Sequence, residues 1–503
     1  MSSVPRQLLP RNSAAAIERS PTTLYTPSMI FLAGKPKRAR PLCALILAAA
    51  TVLASCSSLP ANLPSVPGVT PPSEDDETRI SREFRREAKK QLKFITHPEV
   101  ERYIDRIGRR ILAAMGPQSF DYRFFVVEDD QLNAFAVPGG SVYIYSGLIE
   151  RAQNTDEIAG VLGHEITHIK GHHMVRSSGP DAISILSLLS MVLLAKTGSG
   201  GQAAGMVGQA VAATRQLAYS RQLEMEADTL GTRYMAAAGY NPKGTVQFLK
   251  MLDQEKTLNP IDVPAYVLTH PLSQERLANA ELVVKSIGAT PTRPDEPDAL
   301  KKVQIIIRMD RSTRNEVVAE YLKKVQHNPQ DPDLLYLLGF IEQLQGQTAD
   351  AKKHYERSRQ LKPDNPGLQR DLGRLYGDTG DFAASREAFD RSLALEPNEP
   401  LTYLYLGEML EKSNDLRSAA GAYLNAQNLA PYWDRPVYRL GMVYGRLGRA
   451  GDGYYYLGRS YLLQDEDKRA IADYQRAIKA LGENSPRAQL IKEELTAVKA
   501  RRN

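Results

Sequence analysis

The segment Gly160–Val175, GVLGHEITHIKGHHMV, carries four of the chain's eight histidines. In a helix, His164 and His168 lie one turn apart on the same face. Two imidazoles so placed reach one zinc ion, and the intervening Glu165 sits beside it as a general base. The chemistry that pattern offers is hydrolysis by a metal-activated water. His172 cannot join the same ion. It stands eight positions after His164, about 12 Å along a helix rising 1.5 Å per residue, whereas Zn–N bonds are only about 2.0–2.1 Å. A longer motif, with glycine seven and histidine ten positions after the first histidine, fits at Gly171 but fails at Met174. His172 and His173 are therefore expected to pack or to support a ligand.

A third ligand has to come from elsewhere. The stretch Tyr219–Tyr240, YSRQLEMEADTLGTRYMAAAGY, is helical in pattern and sets Glu224 and Asp228 four residues apart. A carboxylate from a second helix completes a two-histidine, one-glutamate catalytic zinc site with one position left open. Glu224 fits that place. Asp228 then suits a supporting role, accepting the N–H of a ligand histidine. Glu226 competes with Glu224, but it lies about 200° round the helix, so both cannot face the metal. One Zn²⁺ per chain is expected.

The elements that hold these residues are mainly α. The flank TDEIAGVLGHEITHIKGHH has apolar residues at Ile158, Val161, Leu162, Ile166 and Ile169, a helical spacing. Before it, residues 121–149 hold two β-branched, aromatic runs and the turn Pro138-Gly139-Gly140, which predict a small antiparallel sheet with its last strand at an exposed edge. Ala182–Lys196 is apolar nearly all round but too short to span a bilayer, for which about 20 residues are needed; it is expected as a buried helix, or one that covers the site or leans on a membrane. PTRPDEPDA, from Pro291, predicts a linker over 291–311. Beyond it, Pro329, Pro363, Pro397 and Pro431 are spaced by 34, as are Gly339, Gly373, Gly407 and Gly441. That period is the tetratricopeptide pattern, an α-solenoid expected over 312–500 with a groove for protein partners.

The 503 residues, 42% hydrophobic and 24% charged, suffice for two or three packed domains. A net charge of +6 without a basic, aromatic-interleaved groove argues against nucleic acid. KPKRAR (Lys35–Arg40), the apolar run from Pro41 and the closing LASC (Leu53–Cys56) have the layout of a signal peptide over 1–55, with Met29 an alternative start. LASC resembles a bacterial lipobox, which would lipidate Cys56 and tether the chain to a membrane. Ser57, where an aspartate would favour the inner membrane, points to the outer one. The proline-rich stretch 56–78 is a spacer, and the region that carries the candidate metal residues spans 79–290.

HEITH, SRQLEMEAD and THPLSQER, in this order, resemble the zinc metallopeptidase family of the CAAX prenyl proteases and HtpX-like proteases. The resemblance implies an α+β zincin-like (gluzincin) domain, His164, His168 and Glu224 as zinc ligands, Glu165 as base and Asp228 behind the ligands. It also implies two further site residues. His270 would stabilise the oxyanion or take zinc's open position at rest, and Arg276 would act electrostatically near the metal. The sheet's edge strand would pair with an extended substrate. With the lipobox and repeats, the resemblance implies a periplasmic endopeptidase lipid-anchored to the outer membrane. Its substrates would be misfolded or stalled outer-membrane proteins, with the repeats binding them or the assembly machinery. The alternative is a non-catalytic chaperone or scaffold with a locked zinc site. Cysteines joining peptidase to repeats, which the resemblance also implies, are missing after Cys56. Docking of the two must then be non-covalent.

Overall fold

In the computed structural model, residues 72–178, 219–258, 264–288, 297–311 and 313–500 are described. The expected signal peptide, Cys56, most of the 56–78 spacer and the apolar segment 182–196 lie outside them. Among the described residues, no helix is long and apolar enough to cross a membrane.

Helix α1 (Glu74–Gln91) starts on a capping box between Ser73 and Asp76, has four acidic residues in its first turn and ends with Lys89 and Lys90. Both ends thus complement the helix dipole. In α2 (Pro98–Ala114), His97 caps and Pro98 fixes the first turn. Its buried stripe of Val100, Tyr103, Ile104, Ile107 and Ile111 packs into the core.

Three strands follow: β1 (Arg123–Val127), β2 (Ala134–Val137) and β3 (Ser141–Tyr145). The sheet is mixed, in the order β1-β3-β2. β1 runs parallel to β3 from Arg123↔Ser141 to Val127↔Tyr145. β2 runs antiparallel to β3 from Ala134↔Ile144 to Val137↔Ser141. This corrects the antiparallel expectation and the expected edge. The two aromatic runs do pair, but in parallel, because the four-residue AFAV strand between them carries the chain back. β3 is therefore the buried centre, and β2 is paired on one side only among the described residues. The β2–β3 turn depends on Gly139 and Gly140, at φ +84° and +106°.

The rest of the described residues up to 288 is mainly helical: α3 (Ser146–Arg151), α4 (Thr155–Lys170), α5 (His173–Ser178), α6 (Arg221–Ala237), α7 (Lys243–Leu258), α8 (Ala265–Thr269) and α9 (Gln274–Ile287). α10 (Pro297–Met309) occupies most of the segment expected as a linker. Its Leu300, Val303, Ile306 and Ile307 are buried, and Gln304 donates to the carbonyls of Ile149 and Ala152. The proline- and charge-rich lead-in masks this apolar helix in the sequence.

From Pro332 the chain forms helical hairpins, Pro332–Leu344 with Thr348–Leu361, Pro366–Asp378 with Phe382–Leu395, Pro400–Lys412 with Leu416–Leu429, and Asp434–Arg446 with Ala450–Leu463. The phased glycines sit where the paired helices touch. A Cβ on Gly407 would fall 2.5 Å from the Tyr423 ring.

The repeats and the region before them meet through charge rather than disulfides. Arg85 on α1 makes a two-pronged contact with Asp465, Nε to Oδ2 at 2.8 Å and Nη2 to Oδ1 at 2.7 Å. Its Nη1 donates to the hydroxyls of Ser81 and Ser141. Arg86 pairs with Asp467, and Trp433 donates to Glu101. At the first repeats, Lys302 of α10 bridges Asp371 at 2.7 Å and Glu99 at 3.3 Å, and Glu99 accepts from Arg370. Part of the repeats' groove thus holds the chain's own α2 and α10.

Asp465→Ala leaves Arg85 buried without its partner. It should cost about 3–5 kcal/mol, read as a lowered urea midpoint. A second outcome concerns pH. Burial and the nearby Asp434 push the Glu101 carboxyl from 4.5 up to about 7. A raised carboxyl favours the folded state in its neutral form, so this contribution is full below about pH 4.5 and is lost as pH rises through about 7. Glu101→Gln should flatten the stability profile across that window, measured by thermal unfolding against pH.

Candidate metal centre

α4 begins at Asn154, whose side chain caps Glu157 N–H, and is buried on nearly every face from Glu157 to Ile169. α6 begins at Ser220, which caps Leu223 N–H. The two helices cross at Gly163 and Gly231. A Cβ on Gly231 would stand 2.8 Å from His164 N, and one on Gly163 would stand 2.9 Å from the Gly231 carbonyl. Only glycine at both positions permits this approach, and the approach sets the histidines of α4 against the carboxylates of α6.

The result is one cluster. Ligand atoms of His164, His168, Glu224 and His270 all lie within 4.8 Å of one another. His164 Nε2 is 2.9 Å from His168 Nε2 and 3.6 Å from Glu224 Oε2, and His168 Nε2 is 3.4 Å from Glu224 Oε1. His270 arrives from the end of α8, with Nδ1 2.9 Å from Glu224 Oε1 and Nε2 3.5 Å from Glu165 Oε1. All five side chains are at most 3% exposed.

Asp228 lies behind the cluster. Its Oδ1 is 2.8 Å from His164 Nδ1. With the proton on Nδ1, the His164 lone pair at Nε2 points toward His168 Nε2. Two ring nitrogens facing each other at 2.9 Å beside a carboxylate are the donor set a cation requires. Glu165 fits the same reading, since both its oxygens are buried without a hydrogen-bond partner among the described residues.

Arg276, the first-turn residue of α9 whose N–H is capped by Ser273, clamps Asp228 with Nε at 2.8 Å and Nη2 at 3.0 Å. Its Nη1 reaches Glu224 Oε2 at 2.5 Å and donates to the Pro271 carbonyl at 3.0 Å. It therefore holds the acidic residues from behind, with no open face toward a cleft.

The charges are balanced locally. Burial raises the Glu224 carboxyl, but His270 and Arg276 outweigh it and hold it well below the ordinary range. Burial likewise opposes ionisation of Asp228, and Arg276 with His164 wins there too. His164 is pushed down by burial and further up by Asp228, for a net rise. His168 is driven well down by burial, which the nearby Glu224 carboxylate does not offset.

Two residues escape sequence reading. The Tyr219 ring stacks on His168 at 3.8 Å and 18°, and the Tyr266 ring stacks on His270 at 4.3 Å and 23°. The first contact crosses between elements, so spacing gives no signal for it; the second joins residues four apart at the end of α8, a spacing that could have found it. Of the remaining candidates, His172 turns away to Glu77 at 2.6 Å, and Glu226 faces Arg176 and His173 rather than the cluster.

Gly231→Ala should separate α4 from α6 and weaken metal binding, measured with added zinc by competition with a chromophoric chelator. Asp228→Asn should lower zinc affinity about 10–100-fold in the same assay.

Residues 98–283 match the model of peptidase family M48, and residues 342–405 match that of the tetratricopeptide repeat. The chain is 28% identical over 295 residues to a beta-barrel assembly-enhancing protease of Yersinia pestis, covering 58% of this chain and 59% of that one. It is 29% identical over 249 residues to the protein of that name in Escherichia coli (strain K12), covering 48% and 50%. It is 34% identical over 152 residues to mitochondrial metalloendopeptidase OMA1 of Saccharomyces cerevisiae, covering 29% and 42%. The chain spans about half the length of the bacterial relatives it matches. The helix-borne histidines and glutamate thus fall within residues 98–283, the part of the chain that matches peptidase family M48, and the chain continues into the part that matches the tetratricopeptide repeat.

Proposed function

We propose that the protein is a zinc-dependent endopeptidase of the bacterial cell envelope. His164, His168 and Glu224 would hold one zinc ion. The observation that carries this reading is the buried convergence of the two histidine Nε2 atoms on Glu224, with the Glu165 carboxylate alongside, without a hydrogen-bond partner among the described residues. Zinc bound there would polarise the scissile carbonyl and lower the pKa of water to about 7. Glu165 takes a proton from the attacking water and passes it to the leaving amine. His270, next to both Glu165 and Glu224, either faces the developing oxyanion or serves as a fourth ligand at rest. Arg276 keeps Glu224 and Asp228 ionised and in place.

The substrate strand would pair with the free side of β2. Ala136 and Pro138 line one small recess together with His168 and Tyr219, so a strand added there runs past the metal. Misfolded or stalled outer-membrane proteins are the proposed substrates. The names of the bacterial relatives and the lipobox at Cys56 support that choice. The proposed location is the periplasm, with a lipid anchor in the outer membrane. The repeats would hold substrate or assembly machinery on the part of their surface that α2 and α10 leave free.

The full burial of the site favours one second reading, a scaffold whose zinc site is locked. Glu165→Gln separates the two. As an enzyme, the variant should keep one zinc per chain and lose cleavage of an unfolded outer-membrane protein by about 10²-fold or more. In cells it should trap substrates and fail to complement a deletion. Full complementation by the variant supports the scaffold.

A further inference from the structure

His173 is fully buried, yet the metal site as described does not use it. Its Nδ1 lies 2.9 Å from His168 Nδ1, with the rings crossing at 83°. Two ring nitrogens at that distance share one proton, so one donates and the other accepts.

The zinc reading decides which. His168 turns its other nitrogen, Nε2, to His164 and Glu224. A nitrogen that holds a metal carries no proton, and in a neutral imidazole the proton then sits on the other nitrogen. His168 Nδ1 is therefore the donor and His173 Nδ1 the acceptor. The remaining proton of His173 lies on Nε2, which faces Glu226 Oε2 at 3.6 Å, an electrostatic contact. Glu226 is 3.5 Å from Arg176.

The chain is shaped to deliver this ring. Gly171 ends α4, and a Cβ there would fall 2.3 Å from His173 Nε2. His172 adopts φ 52°, the left-handed region, which reverses the chain and folds the next side chain back onto α4. Tyr219 covers the His168 face while His173 takes its edge.

We infer that His173 is a positioning residue for the metal. It fixes the tautomer and ring plane of His168, as Asp228 does for His164, with Glu226 and Arg176 completing the chain of contacts. This rests on the zinc reading above, which uses His168 only as a ligand and leaves its far nitrogen unassigned.

Long-range ¹H–¹⁵N spectra of the zinc-loaded full chain test the assignment directly, without mutation. We expect the His168 proton on Nδ1 and the His173 proton on Nε2. A His173 proton on Nδ1 overturns the inference. In parallel, His173→Phe fills the space but removes the acceptor, and should lower zinc affinity about 10–100-fold in chelator competition. His173→Asn keeps an acceptor oxygen and should recover most of that loss. Equal zinc affinity in His173→Phe and the unaltered protein overturns the inference while leaving the zinc reading intact. Failure of the unaltered protein to bind zinc overturns both. If His173→Phe does not fold, the spectra of the unaltered chain still decide.

Discussion

The structure depends on one contact, the crossing of α4 and α6 at Gly163 and Gly231. Helix axes normally stand about 8–10 Å apart, set by the side chains between them. Here there are none at the crossing, and backbone meets backbone. His164 and His168, one turn apart on α4, then face Glu224 and Asp228, one turn apart on α6. Neither helix could form a site alone, since each supplies two groups in one row. Their close approach makes a three-dimensional donor set from two linear motifs.

That approach has an electrostatic consequence. It buries three carboxylates, those of Glu165, Glu224 and Asp228, and several imidazoles within a few ångströms of one another in a low dielectric, where unpaired charge is costly. Arg276 is the principal answer, with its fork on Asp228 and its end nitrogen at Glu224. Without it the acids would favour protonation, and a protonated Glu224 is no metal ligand. The aromatic rings of Tyr219 and Tyr266 serve geometry instead, fixing His168 and His270 by their faces. Around this centre, α1 links the peptidase region to the repeats through Arg85 and Asp465, and its Glu77 reaches His172 at the end of α4. In the absence of interdomain cysteines, buried ion pairs fix the docking.

Much of this was legible in the sequence, for physical reasons. A four-residue spacing places two groups on one helix face wherever the helix lies, so His164 and His168 could be placed together with Glu165 beside them, and the angle showed that Glu224 and Glu226 could not both face the same point. The exclusion of His172 came from the same geometry, and that of the longer motif from the methionine at 174. The 34-residue phase of proline and glycine revealed the repeats because each unit solves the same packing problem. What failed was order in space. Periodicity cannot show that AFAV lies between two strands and turns their pairing parallel, nor that the apolar QIII of α10 follows a linker-like lead-in. The direction in which Arg276 points, the stacking of Tyr219 and the return of His173 onto His168 all join residues from different elements, and local spacing carries no record of such contacts. Gly171 looked like part of a longer metal motif; its structural use is to leave room for the His173 ring.

X-ray absorption at the zinc edge of the purified full chain tests the central claim most directly. The account predicts one zinc per chain, a first shell of nitrogen and oxygen with no sulfur, and outer-shell scattering from at least two imidazoles. A chain that binds no zinc, or a zinc shell without imidazole scattering, would contradict it.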